Sequence, residues 1–134
     1  MQRRDYLMRM IEQMGVAFAR IRQMLIGGEP VGDVLRLEAR KSGVDLDLAR
    51  VLDADSLAAV LSPNGQPDVT RLWVMAELLH LDGLRLDMEG RMDEGEALHR
   101  KSLRLYLALE PAVLAALPEG AIRLQEIEER LTGG

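Results

Sequence analysis

Two histidines carry most of the chemistry that this chain could do. Glu77-Leu78-Leu79-His80 sets a carboxylate and an imidazole three residues apart, which puts both on one helix face, as in two-metal carboxylate bundles. Those sites need two such pairs and further glutamates, so the pair at 77–80 reads as polar residues lining a groove or surface. The acids from Asp82 through Asp87, Glu89, Asp93, Glu94 and Glu96 crowd a turn. They lack the alternating spacing of a calcium loop. Asp93 with Glu96 instead reads as a capping box opening a helix. None of Ser42, Ser56, Ser62 and Ser102 lies in a Gly-x-Ser-x-Gly elbow, and Gly27-Gly28 precedes Glu-Pro rather than a phosphate-loop lysine. No catalytic residues, metal ligands or cofactor are expected.

Composition sets the class of element that must position these groups. The chain has 134 residues, 24 of them Leu and 8 Met, against 16 Val, Ile and Thr together and four aromatics. Leu and Met keep their rotamer freedom in helices, whereas β-branched and aromatic side chains favour sheets. A single all-α domain spanning 1–134 follows. The formal net charge of −5 gives no basic field to gather nucleic acid. There is no cysteine, which excludes thiolate chemistry and, with charges interrupting the first residues, fits a cytoplasmic setting. Apolar runs such as Leu72–Ala76 fall far short of the roughly 18 residues of a membrane span.

Gly27-Gly28-Glu29-Pro30, Ser42-Gly43, the loop 62–67, Gly90, Pro111 and Pro118-Glu119-Gly120 punctuate the sequence. The segments between them predict helices over 5–26, 30–42, 45–61 (with a break near Asp53-Ala54-Asp55), 67–89, 93–110 and 119–131. That makes six or seven helices, with 132–134 as a frayed tail. In the first helix Leu7, Ile11, Met14, Phe18, Ile21 and Leu25 recur at spacings of 4 and 3, an apolar seam. Tyr6, Met10, Ala17 and Met24 form a second edge beside it. Residues 67–89 are apolar around most of the circumference and should form the centre of the core.

Gly83 inside that central helix, Gly90 at its end, and Gly95 with Ser102 on the next helix resemble a tetratricopeptide repeat over 73–107. That motif is an antiparallel helix pair with small residues at the contact. Asp82 replaces the usual bulky residue, His99 the usual aromatic, and the closing proline comes late at Pro111. The stretch from Asp5 to Gln13, Asp-Tyr-Leu-Met-Arg-Met-Ile-Glu-Gln, resembles the opening of a family of small uncharacterised bacterial helical proteins that carry a tetratricopeptide-like hairpin. Arg4 stands where those chains often have asparagine. The resemblance implies a tetratricopeptide-like helix-pair array around a hairpin at 67–110, and a bacterial setting; it implies no activity.

The function expected is non-catalytic, a protein-interaction or assembly module. If the first helix of the pair lines a concave surface, as in the tetratricopeptide fold, the groove would be built from Glu77, His80, Leu84, Asp87 and Met88 and would suit a basic or apolar partner. The edge of Tyr6, Met10, Ala17 and Met24 would serve self-association as a homodimer. Residues 1–26 carry five arginines against Asp5 and Glu12; packing into the core or against a second copy is favoured for this helix over lying on a membrane. The alternative is a small-ligand sensor or enzyme with a pocket between helices around His80 and His99. Between the two close-contact glycines, Gly83 is expected to tolerate a bulky residue less well than Gly95.

Overall fold

A computed structural model describes the backbone of residues 2–133 and the side chains of residues 5–133. Gly134 in the expected tail, and the side chains of Arg3 and Arg4, lie outside the described residues. Among the described residues there are eight α-helices and no strand. They are α1 (Gln2–Ile26), α2 (Gly32–Lys41), α3 (Leu46–Val51), α4 (Ala54–Val60), α5 (Val69–Met88), α6 (Met92–Leu107), α7 (Pro111–Ala116) and α8 (Gly120–Leu131), with a 3-10 turn at Pro63–Gly65 before α5.

Local chemistry accounts for most helix ends. Asp45, Asp53 and Asp68 cap α3, α4 and α5, each accepting the backbone N–H three residues on. The second of these caps divides the expected 45–61 helix. Gly90 closes α5 in a left-handed conformation (φ 82°), with Arg91 N–H donating to Leu86 O and Gly90 N–H to Asp87 O. Two expectations about starts fail. Asp93 is inside α6 rather than its cap, because Arg91 takes that position, and Glu96 pairs with Arg100 instead of reaching back. The eighth helix comes from Pro111, which opens α7 at its first position instead of only ending α6.

α5 is the axis of the fold. Every residue from Leu72 to Gly83 is buried, because α1, α2 and α3 cover one side and α6 the other. Contacts fix the directions. Along α1, Phe18 meets Trp73 edge to face at 5.4 Å and Arg22 reaches His80. Along α8, Arg123 reaches Glu77 and Arg130 reaches Asp87. Both helices therefore run parallel to α5. α6 runs antiparallel, with Tyr106 at Glu77 and His99 at His80.

The α5–α6 crossing is as close as the small residues suggested. Ser102 Oγ donates to Ala76 O at 2.7 Å. A Cβ on Gly83 would come within 2.7 Å of the buried His99 ring. A Cβ on Gly95 would strike the Asp87 carboxylate and lie 2.9 Å from the backbone oxygen of Gly83. Gly95 thus also faces backbone, which cannot turn aside, so it is no more permissive than Gly83, contrary to the expectation. Gly95→Ala should destabilise at least as much as Gly83→Ala, each by about 1–3 kcal/mol from overpacking. Urea unfolding monitored by circular dichroism checks it, and a Gly95→Ala variant of unchanged stability would contradict this crossing.

Candidate partner-binding groove

One stripe of α5 faces the space between α1 and α8. Trp73, Glu77, His80, Leu84 and Asp87 recur at spacings of 4, 3, 4 and 3, so they line one helix face. The first three are not open to solvent. Trp73 and His80 are 0% exposed and Glu77 is 3% exposed. This corrects the placement of Glu77 and His80 in an open groove: α1 and α8 reach over the middle of α5 and cover them. Leu84 and Asp87 are half-buried and Met88 is exposed.

The covering side chains form a continuous polar network. Arg123 donates from Nε to Glu77 Oε1 at 2.8 Å, and Tyr106 donates its hydroxyl proton to the same oxygen. Arg123 also pairs with Glu126 at 2.6 Å and with Glu119 at 3.0 Å. Glu126 accepts in turn from Arg22 Nη1 at 3.0 Å, which ties α8 to α1. The same Arg22 places Nη2 at 2.9 Å from His80 Nε2. His80 Nδ1 lies 3.2 Å from His99 Nδ1, and His99 Nε2 lies 2.9 Å from Asp87 Oδ2. Arg130 closes the chain on that Asp87 oxygen at 3.1 Å.

The two ends of this chain dictate where its protons sit. A guanidinium only donates and a carboxylate only accepts. His80 Nε2 must therefore accept from Arg22, which leaves its proton on Nδ1 to donate to His99 Nδ1. His99 then carries its proton on Nε2 and donates to Asp87. Both rings are neutral and all four ring nitrogens are engaged. Burial agrees, since it holds His80 down at about 4 against the opposing pull of Glu126, and lowers His99 against Asp87. Burial also raises the Glu77 carboxyl, opposed by Arg123 and Tyr106, and raises the Tyr106 phenol well above its ordinary value. Once protonated in acid, His80 donates to Glu126 and, with the charges of Arg22 and Arg123, holds its carboxyl well below the usual carboxylate range.

The Glu-x-x-His spacing occurs twice in the chain, because Glu96 precedes His99 as Glu77 precedes His80. The second pair was the available signal that the two histidines meet. The geometry does not make a metal centre of them. Glu77 is held by Arg123 and Tyr106, Glu96 pairs with Arg100 at 2.8 Å, and among the described residues no three His, Cys, Asp or Glu side chains gather as ligands.

The Arg22–Glu126 pair bridges the groove at its centre and leaves a cavity at each end. At the carboxy-terminal end of α5, about 310 Å³ is bounded by Leu25 and Ile26 of α1, Leu84, Asp87 and Met88, and Arg130 of α8. Ile26 and Met88 are 71% and 59% exposed there. At the amino-terminal end, about 370 Å³ lies between α1 and the start of α8, against Trp73 and Glu77. The expected self-association edge is divided. Tyr6 is 63% exposed, whereas Met10, Ala17 and Met24 are half-buried. In the seam beside it only Phe18, Ile21 and Leu25 are buried; Leu7 and the neighbouring Met8 are exposed. None of the described helices is long and apolar enough to cross a membrane. No family model matches the chain, and neither a curated relative nor a solved structure matches it significantly.

The histidines make stability depend on pH with a definite sign. Each has a lower pKa folded than unfolded, so the unfolded chain binds the extra proton first. The histidines' contribution to stability is full above pH 6.5 and is lost as the pH drops toward 4, opposed only by the raised Glu77 carboxyl. Between pH 7 and 5 the loss from His80 alone should be about 2 kcal/mol. Unfolding measured across that range checks it. A flat profile would mean that the rings are not held neutral.

Proposed function

We propose that this chain is a non-catalytic interaction module, built as a tetratricopeptide-like helix-pair array, that docks a segment of a partner polypeptide in the groove between α1 and α8. The supporting observation is the open carboxy-terminal end of the groove. Ile26, Leu84 and Met88 offer apolar contact where Arg22, Asp87 and Arg130 fix polar orientation, the mix that protein interfaces use. The parallel course of α1, α5 and α8 is what a stack of helix pairs gives when each first helix faces the concave side. An enzyme or ligand sensor working through His80 and His99 is disfavoured. A general base needs a free ring nitrogen within reach of substrate, and all four are engaged. A cytoplasmic, bacterial setting and the absence of cofactor, metal and nucleic-acid partner belong to the same reading.

A photoreactive residue placed at Met88, in the cell the protein comes from, tests the groove. A discrete protein adduct should form from Met88 and not from Val60, which is also exposed but lies on α4, away from the groove. Leu84→Glu should reduce the adduct at least fivefold while leaving the helical spectrum intact. Equal adducts from both positions, or none from Met88, would refute the reading.

Self-association belongs to the uncovered start of α1. Tyr6, Leu7 and Met8 are exposed together, and a symmetric pair buries such a surface on both copies at once. The half-buried Met10, Ala17 and Met24 give that contact less than the sequence suggested. Leu7→Glu with Met8→Glu should convert a dimer to a monomer in light scattering coupled to gel filtration. A wild-type monomer at tens of micromolar ends this part.

A further inference from the structure

We infer that the cavity at the amino-terminal end of the groove takes a basic side chain, lysine or arginine, from the docked polypeptide. This rests on the reading of the groove as a polypeptide-binding surface and adds the chemistry of what enters it. The cavity holds about 370 Å³ between Glu12 and Val16 of α1, Trp73 and Glu77 of α5, and Pro118 and Glu119 before α8, with Arg123 beneath. That is the scale of a preformed pocket for one side chain or a small ligand.

Charge selects the occupant. Three carboxylates line the cavity against one guanidinium, and that guanidinium is already shared among Glu77, Glu119 and Glu126. Glu12 makes no ion pair among the described residues. Both hydrogen bonds to Glu77 fall on Oε1. An anion would meet three acids, whereas a cation gains two that are incompletely matched. The walls supply the rest of a basic side chain's needs. Val16, Phe18, Trp73 and Pro118 are apolar and suit the methylene stem, which long basic side chains bury while keeping the charged head among polar groups.

A second, independent observation marks the same wall as incompletely satisfied. Trp73 is in the cavity wall, fully buried, and its indole N–H has no acceptor among the described residues. A buried donor left unmatched is disfavoured by about 1–3 kcal/mol. The nitrogen itself is closed off, so an acceptor reaches it only where the wall shifts as the cavity fills.

Trp73 is the only tryptophan, so its emission reports on the cavity directly. The full chain is titrated with alanine–leucine heptapeptides carrying arginine or lysine at the centre, with the same peptide carrying neutral citrulline, and with agmatine. The basic peptides should change the emission saturably. The citrulline peptide should bind about tenfold more weakly, and added salt should weaken the basic peptides alone. Glu12→Gln, at an exposed position that the fold does not need, should weaken them at least threefold. Equal binding of the arginine and citrulline peptides overturns the inference while leaving the groove as a polypeptide site. Tighter binding of agmatine than of any peptide overturns it in favour of a free amine. No saturable change with any ligand also overturns it, and the adduct at Met88 then decides separately whether the groove reading survives.

Discussion

A carboxylate in the middle of a fully buried helix cannot remain ionised without a cation brought to it, and Glu77 is in that position. The cation is Arg123, from the last helix, and its arrival decides much of the remaining structure. Removing one partner of such a pair destabilises by about 3–5 kcal/mol, because the other charge is left buried alone. α8 is therefore bound along α5 by more than apolar contact. From there the constraints propagate. Arg123 holds Glu126, Glu126 holds Arg22 of α1, and Arg22 donates into His80. One buried charge on the central helix thus positions the two helices that flank it, and the groove is the space they leave.

The opposite face of α5 is governed by a second buried carboxylate. Asp82 is 0% exposed and accepts from Arg50 Nε at 2.8 Å and Arg85 Nε at 2.9 Å, tying α5 to α3. Lys101 donates to the carbonyls of Ala49 and Arg50 and holds α6 against the end of α3. A helix that is apolar all round packs almost equally well at several rotations, since burial energy has no direction. Charges and hydrogen bonds have direction. Glu77, His80 and Asp82, together with the glycine contact at Gly83 and Gly95, admit one rotation and one register. The polar groups inside this core therefore select an arrangement that leucine and methionine packing would leave open.

What the sequence made legible was set by local physics. The 3.6-residue period, the proline and glycine breaks and the dominance of leucine locate most helices, and the unbroken apolar character of 67–89 identifies the central one. The small residues at Gly83, Gly95 and Ser102 locate the close crossing. The misplaced groove residues share one cause. Glu77 and His80 look like surface residues because polar side chains on a helix face ordinarily meet water, and the partners that overrule this are 46 and 58 positions away. No spacing rule predicts pairings at that separation. Asp82 and His99 stand out in the sequence only as departures from the tetratricopeptide pattern. In the structure they are the buried partners of Arg50 and His80. Pro111 misled for a local reason, since the same residue that ends one helix is suited to begin another.

The network is also graded in strength, and the gradient follows the groove. Glu77 and Arg123 meet with side chains only 4% and 6% exposed, whereas Arg22 and Glu126 at the central bridge are 23% and 32% exposed. Arg22 leaves its Nε without an acceptor among the described residues. Water screens the more exposed pair more than the buried one. Arg22 also donates to the buried His80, so the bridge stays tied to the floor of the groove. The Glu77–Arg123 pair beneath it is the firmer tie of α8 to α5. The arrangement therefore grades from a deeply buried pair at Glu77 and Arg123 to a partly exposed bridge at Arg22 and Glu126.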